Sequence, residues 1–274
     1  MPDFFNPDQP SPEIDISVHH SARVWNYLLG GKDNYEVDRT AGDRLAAAFP
    51  GMVALTRHSR AFIGRVVRHL TEEEGIRQFL DIGTGLPTVD NTHEVAQSIA
   101  PESRVVYVDN DPLVLVHATA LLTSTPQGAC DYVHADARDP ERILHEAART
   151  LDFSRPVGLM LMGILGLIED DDEARSIVTR LTDALAPGSF LGLNDGTTTD
   201  PAYVNGLSKL NKRPGAIPYT PRSPQQISRY FDGLDLLEPG VISVSRWRLG
   251  ALPFGLPEEV AGYGGLARKP AQPR

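Results

Sequence analysis

Apolar positions divide the chain into two textures. Over residues 18–70 they recur at helical spacing. Val18, Ala22, Trp25 and Leu29 share one face of a helix predicted over 18–29, with His20, Arg23 and Tyr27 on the other. Gly30-Gly31 ends it. Asp33-Asn34-Tyr35-Glu36 reads as a capping box opening a second helix to about Phe49, and Pro50-Gly51 breaks that one. A third helix, over 53–70, is two-sided: Leu55, Phe62, Ile63, Val66 and Leu70 are apolar, and Arg57, Arg60, Arg65 and Arg68 form a basic face. From residue 77 short apolar runs alternate with helical stretches. Strands are expected at 77–82, 104–109, 131–135, 157–163 and 189–194, and helices near 91–99, 112–124, 140–150 and 171–186. This alternation means right-handed βαβ units and a parallel sheet. A loop-rich stretch follows residue 195, then a helix over 223–232 and strands at about 235–247 and 261–268. Residues 1–17 carry four prolines and little apolar pattern, so they read as a disordered arm. The expected organisation is an arm (1–17), a helical cover (18–76) and an α/β domain (77–274), with 18–274 as one unit.

Composition narrows the function classes. The apolar share of 41% in 274 residues is ample for a core. No apolar run approaches the roughly 20 residues that span a bilayer, and the N-terminus lacks a secretory pattern, so a cytoplasmic protein with no membrane partner is expected. The single Cys130 excludes an internal disulfide and a cysteine zinc site. A net charge of −10 argues against a nucleic-acid partner gripped by electrostatics. The eight histidines show no metal-ligand spacing, and no metal is expected.

Chemistry concentrates at the predicted strand ends. The first strand runs into Asp81-Ile82-Gly83-Thr84-Gly85. A Gly-x-Gly turn after a strand lets a ligand approach the backbone. The third glycine of a dinucleotide motif is missing, because Thr88 stands there. Asp81 would repel a pyrophosphate and attract an ammonium group. The second strand ends in Asp109, followed by Asn110, where a carboxylate can accept from both ribose hydroxyls. Asp111, before Pro112, is the better helix cap. The third strand ends in His134-Ala135-Asp136-Ala137, where Asp136 either accepts from an adenine amine or belongs to the turn into Arg138-Asp139-Pro140.

Three carboxylates around one glycine turn resemble the class I S-adenosylmethionine (SAM)-dependent methyltransferases. The resemblance narrows further. Tyr27-Leu28-Leu29-Gly30-Gly31-Lys32-Asp33-Asn34-Tyr35, Asp38-Arg39, Asp81 through Thr88, His93 through Gln97 and Tyr107 through Pro112 are similar to an actinobacterial SAM-dependent methyltransferase family once catalogued as an uncharacterised conserved domain. It spans about residues 18–269. It implies an α/β, Rossmann-like fold with a mainly parallel seven-stranded sheet, helices on both faces and an N-terminal helical extension. It also implies SAM as cofactor and S-adenosylhomocysteine as product. On that basis Asp81, Gly83, Thr84, Gly85, Asp109, Asn110, Asp136, Ala137 and Gly163 are the expected cofactor residues. His20, Arg23, Tyr27, Asn34, Asn194 and Asp195 are the expected substrate side, for a small-molecule substrate. Residues 18–49 are expected to close over the crevice. The family pattern carries a histidine where this chain has Gly166, and Ser-His where it has Asn194-Asp195, so no catalytic residue is assigned. The alternatives are a non-catalytic SAM-binding regulator or scaffold, aminopropyl transfer from decarboxylated SAM, and an NAD-dependent dehydrogenase.

Overall fold

The computed structural model describes residues 15–114, 116, 123–212, 218–250 and 255–271. Most of the expected arm and most of the helix predicted over 112–124 lie outside the described residues. Three helices come first: α1 (Ser21–Leu28), α2 (Glu36–Ala48) and α3 (Met52–Glu72). Then follow β1 (Gln78–Ile82), α4 (Thr92–Ile99), β2 (Arg104–Asp109), β3 (Ala129–His134), α5 (Pro140–Ala147), β4 (Gly158–Met162), a 3-10 turn (Leu165–Leu167), α6 (Asp171–Asp183) and β5 (Phe190–Gly196). The chain ends with α7 (Pro201–Asn211), α8 (Pro224–Arg229), β6 (Asp235–Leu236), β7 (Ile242–Ser243) and β8 (Gly262–Arg268).

The sheet order is β3-β2-β1-β4-β5-β8-β6, with β7 also paired to β8. β1 to β5 are parallel and β8 runs antiparallel to β5, β6 and β7. The strand order reverses between β1 and β4, which opens a crevice at the carboxyl ends of these strands. All residues of β1 and β5 are buried, as a sheet covered on both faces requires.

On one face α3 supplies Phe62, Val66, Val67 and Leu70, all at 0% exposure, against Phe79, Val105, Met160 and Leu266. Each such side chain contributes about 1.5–3 kcal/mol through burial. On the other face Ile143, Ile177, Leu181 and Ile227 from α5, α6 and α8 pack on Leu80, Val106, Leu159 and Leu193. A third cluster joins Val24, Leu28, Leu45 and Phe49 of the N-terminal segment to Leu55, Tyr203, Leu207 and Ala261.

Four local expectations are corrected. The second helix starts at Glu36, and its capping acid is Asp38, whose Oδ2 accepts from Tyr35 N at 2.9 Å. The loop-rich stretch after 195 contains α7, capped by Asp200 with Pro201 in its first turn. The strand expected over 235–247 is two two-residue strands separated by the turn at Pro239-Gly240, where Gly240 has φ +81°. The basic face of α3 is divided. Arg57 and Arg68 are exposed, while Arg65 donates to Trp247 O at 2.8 Å and to Val244 O.

Candidate functional site

A cleft opens at the carboxyl ends of β1 to β5, enclosing about 1100 Å³ counting its open mouth. One wall is the turn after β1. Gly83 has φ +72°, and a Cβ there would lie 1.9 Å from Ile164, so this close approach of two strand-end turns needs glycine. Gly85, at φ +67°, would place a Cβ 4.0 Å from Ala22 Cβ, an ordinary van der Waals contact, so its left-handed φ and not lack of space calls for glycine. The opposite wall is Ile164, Leu167 and Ile168, from the turn after β4. That turn is fixed from behind by Arg222, a buried guanidinium that donates to Leu165 O at 2.8 Å, Ile168 O at 2.7 Å and Asp171 Oδ1 at 2.7 Å.

Among the expected cofactor residues, Gly83, Thr84, Gly85, Asp109, Asn110, Asp136 and Ala137 line this cleft. Asp109 is held on both oxygens: Oδ2 accepts from Gly85 N at 2.8 Å and Oδ1 from Asp111 N at 2.9 Å. Burial raises its pKa against those two bonds. Asp136 accepts from Arg138 N at 2.8 Å and from Asn110 Nδ2 at 3.3 Å. Asp81 does not line the cleft. It is buried behind the glycine turn and accepts from Thr92 Oγ1 at 2.6 Å, with burial pushing its pKa up to about 6. Gly163, at φ +77°, has open space around it but is not a lining residue either.

The expected substrate residues divide more sharply. His20 and Asn194 line the cleft; Arg23, Tyr27, Asn34 and Asp195 do not. Buried Arg23 lies 3.4 Å from Asp38 and donates to Val18 O at 2.9 Å. Tyr27 donates to Asp43 at 2.6 Å, toward α2. Asn34 Nδ2 donates to Asn26 Oδ1 and Gly31 O, both at 3.0 Å. The α1 segment does meet the crevice, but with the opposite face: Ala22, Trp25, Asn26 and Leu29 line it. A ligand wall is itself largely apolar, so amphipathic spacing could not tell core from cleft. Gly31 admits this arrangement, since a Cβ there would lie 2.4 Å from the Asn26 amide. His20 sits at the cleft edge with Nδ1 3.0 Å from Asp111 Oδ2, while Asp111 also caps the following turn through Leu113 N, as the sequence predicts.

Asp195 lies behind the wall. It accepts from the Tyr219 hydroxyl and from Gly196 N, and burial pushes its pKa up to about 6. Tyr219 also explains Gly166: a Cβ at 166 would lie 2.3 Å from the tyrosine Cζ. The ring thus occupies the place where the family resemblance expects a side chain. His93 is structural, with its N–H and Nδ1 both 2.8 Å from the Tyr107 hydroxyl, and Asn91-x-x-Glu94 forms the expected capping box.

The remaining walls had no motif. Thr56, Ser59, Arg60 and Ile63 of α3 line the cleft, as does Met162 at the end of β4. Ser59 Oγ and Asn194 Oδ1 are buried without a hydrogen-bond partner. Such groups are costly unless something else supplies the bond. The only sequence signal for these walls was the polar stripe Thr56, Ser59, Arg60 beside an apolar helix face.

A switch-point crevice with a glycine turn and acidic strand ends, beside an antiparallel last strand, defines a Rossmann-like methyltransferase-type fold. The chain belongs to the S-adenosyl methyltransferase family, whose model matches residues 7–270. It is a family of SAM-dependent enzymes, with SAM as cofactor. A DUF574-family protein from Streptomyces avermitilis is 45% identical, with 94% of this chain and 100% of that chain covered and a TM-score of 0.89. A putative methyltransferase from Thermobifida fusca is 42% identical over 96% of this chain and 100% of that one, with a TM-score of 0.86. A possible exported protein from Bordetella parapertussis, at 19% identity, 92% and 80% coverage and a TM-score of 0.56, shares the fold alone. No functionally curated protein matches the chain. Among the described residues no helix is long and apolar enough to cross a membrane.

Proposed function

We propose that the protein transfers the methyl group of SAM to a small-molecule acceptor held at the β4–β5 end of the cleft. The observation that carries this reading is Asp109. It stands at the end of β2, pinned by Gly85 N and Asp111 N, with lone pairs left to accept from a ribose. The Gly83–Gly85 turn lines the cleft beside it and is where such a ligand would rest. SAM, when bound, supplies a methyl group already activated by its sulfonium. Asp109 would take the ribose hydroxyls, Asp136 and Asn110 the adenine edge, and Leu167, Ile168 and Ala137 its faces. Asp81, though buried one layer back, would favour an ammonium group near the glycine turn. Trp25, Ala22 and Leu29 would exclude water.

Acceptor positioning falls to Ser59 and Asn194, whose buried Oγ and Oδ1 have no hydrogen-bond partner among the described residues. The titratable groups lining the cleft are His20, Arg60, Asp109, Asp136 and Arg138. None of these comes from β4 or β5, so catalysis at that end rests on proximity and orientation. That absence also favours the second reading, a non-catalytic SAM-binding protein. Calorimetry with SAM and S-adenosylhomocysteine tests the cofactor site, and methyl transfer from labelled SAM into a small-molecule extract tests turnover. Micromolar binding with transfer supports the proposal; binding without transfer into any extract supports the second reading.

A further inference from the structure

Arg60 is the one cation among the cleft-lining residues on α3. Among the described residues its bonds go only to neutral acceptors: Nε donates to Val89 O at 3.1 Å and Nη2 to Asn91 Oδ1 at 2.9 Å. Among the described residues no carboxylate lies within 4 Å of it, whereas the other cleft arginine, Arg138, is paired with Asp136 and Glu173. Asp81, Asp90 and Glu94 attract it only from farther away, and burial still pulls its pKa down. A half-buried guanidinium that faces a cleft without a counter-ion is half of an ion pair.

Its position says which half is missing. Asn91 Oδ1 also accepts from Thr88 N at 3.1 Å, so Arg60 is fastened to the segment that leaves the Gly83–Gly85 turn. That segment continues β1, and Asp81 lies on β1 just below it. An adenosyl ligand anchored at Asp136 and Asp109 starts on β3 and β2 and reaches β1 next, since the order is β3-β2-β1 at about 4.8 Å per strand. Its far end then comes against the glycine turn, with the negative Asp81 buried behind that turn and the positive Arg60 in the cleft wall. Opposite charges at one end of a cleft complement a zwitterion.

Resting on the SAM reading, we propose that Arg60 receives the α-carboxylate of the cofactor's methionine arm, and that this contact makes the site select SAM over decarboxylated SAM. The planar fork keeps Nη1 for the carboxylate while Nε and Nη2 hold the 88–91 turn. The aminopropyl-transfer alternative is thereby disfavoured on this chain's own residues, because its donor lacks the group Arg60 is placed to bind.

Calorimetry on the full chain tests this with four ligands: SAM, S-adenosylhomocysteine, decarboxylated SAM and 5′-methylthioadenosine. The wild type should bind SAM about 10–100-fold tighter than decarboxylated SAM, the range of a charge-assisted contact. Arg60→Met should weaken SAM and S-adenosylhomocysteine by that factor and change the other two less than about twofold. Arg60→Lys should recover part of the loss. Equal wild-type affinity for SAM and decarboxylated SAM would overturn the proposal without needing any variant. So would an Arg60→Met protein that loses all four ligands alike, which marks a role confined to holding the 88–91 turn. A wild type that binds none of the four would instead remove the cofactor reading itself.

Discussion

Gly166→Ala is a small change with a large expected cost. The glycine's φ is not in the left-handed region, so the backbone tolerates alanine and only space is at issue. The new Cβ would sit 2.3 Å from Tyr219 Cζ and 2.6 Å from both ring Cε atoms. The backbone cannot easily withdraw, because Gly166 O accepts from Thr220 N at 2.7 Å, next to the tyrosine itself. Overpacking of this kind costs about 1–3 kcal/mol. If the ring swings away, buried Asp195 loses its hydroxyl donor, a further loss of about 1.5–3 kcal/mol for a bond to a charged group. A total of about 2.5–6 kcal/mol corresponds to a fall in melting temperature of about 5–20 °C for a chain of this size. Thermal denaturation followed by circular dichroism reads it. Tyr219→Ala removes the obstacle, so Gly166→Ala added to that background should cost almost nothing. A Gly166→Ala protein melting within about 1 °C of wild type would refute the packing argument. So would simple additivity of the two changes, since residues in contact must couple.

Three further outcomes follow from the same geometry. Asp109→Ala should weaken S-adenosylhomocysteine binding by about tenfold or more in calorimetry, and should also lower the melting temperature, because Gly85 N and Asp111 N lose their acceptor; unchanged affinity would misplace the ribose. Ser59→Ala removes a buried hydroxyl that has no partner, so the ligand-free protein should gain about 1 kcal/mol and melt about 2–4 °C higher, and a lower melting temperature would show that the hydroxyl is satisfied in solution. Asp81→Asn should remove a pH dependence: burial raises the folded-state pKa from 3.8 to about 6, so between these values the folded state binds more protons than the unfolded one and loses stability as pH rises. The advantage of the variant over wild type in urea unfolding should therefore grow from pH 4 to pH 6.5, to roughly 2–3 kcal/mol, and a difference that ignores pH would contradict the buried, ionised Asp81.

The strands and the acidic strand ends were legible because both follow local rules. β1, β2, β4 and β5 are built around short apolar runs, and Asp81, Asp109 and Asp136 stand in or just past the last residues of their strands where the motifs put them. What failed depended on partners distant in sequence. α7 buries only Tyr203, Gly206 and Leu207, too few positions to give a periodic signal. β6 and β7 exist because β8 offers both a neighbour, and two residues carry no alternation to read. The face of α1 was inverted because Arg23, polar by type, finds Asp38 fifteen residues ahead and is buried by the pairing. Arg222 gave no signal in a loop, although it holds the wall that carries Leu167 and Ile168.

Several energetically costly groups converge on one cleft. Asp81 and Asp109 are buried carboxylates with raised pKa, Arg60 is a cation without a counter-ion, and Ser59 and Asn194 lack hydrogen-bond partners. All lie in or directly behind one cleft, and each makes the empty protein less stable than an apolar replacement would. Their signs and polarities are also complementary to one kind of ligand. On the proposed reading the acids would serve hydroxyls and an ammonium group, Arg60 a carboxylate, and Ser59 with Asn194 a polar acceptor. On the proposed reading one pair of molecules would relieve these costs together: the acceptor end is walled by α1, α3 and the β4–β5 ends, so an adenosyl ligand filling the glycine turn would complete the floor on which the acceptor rests.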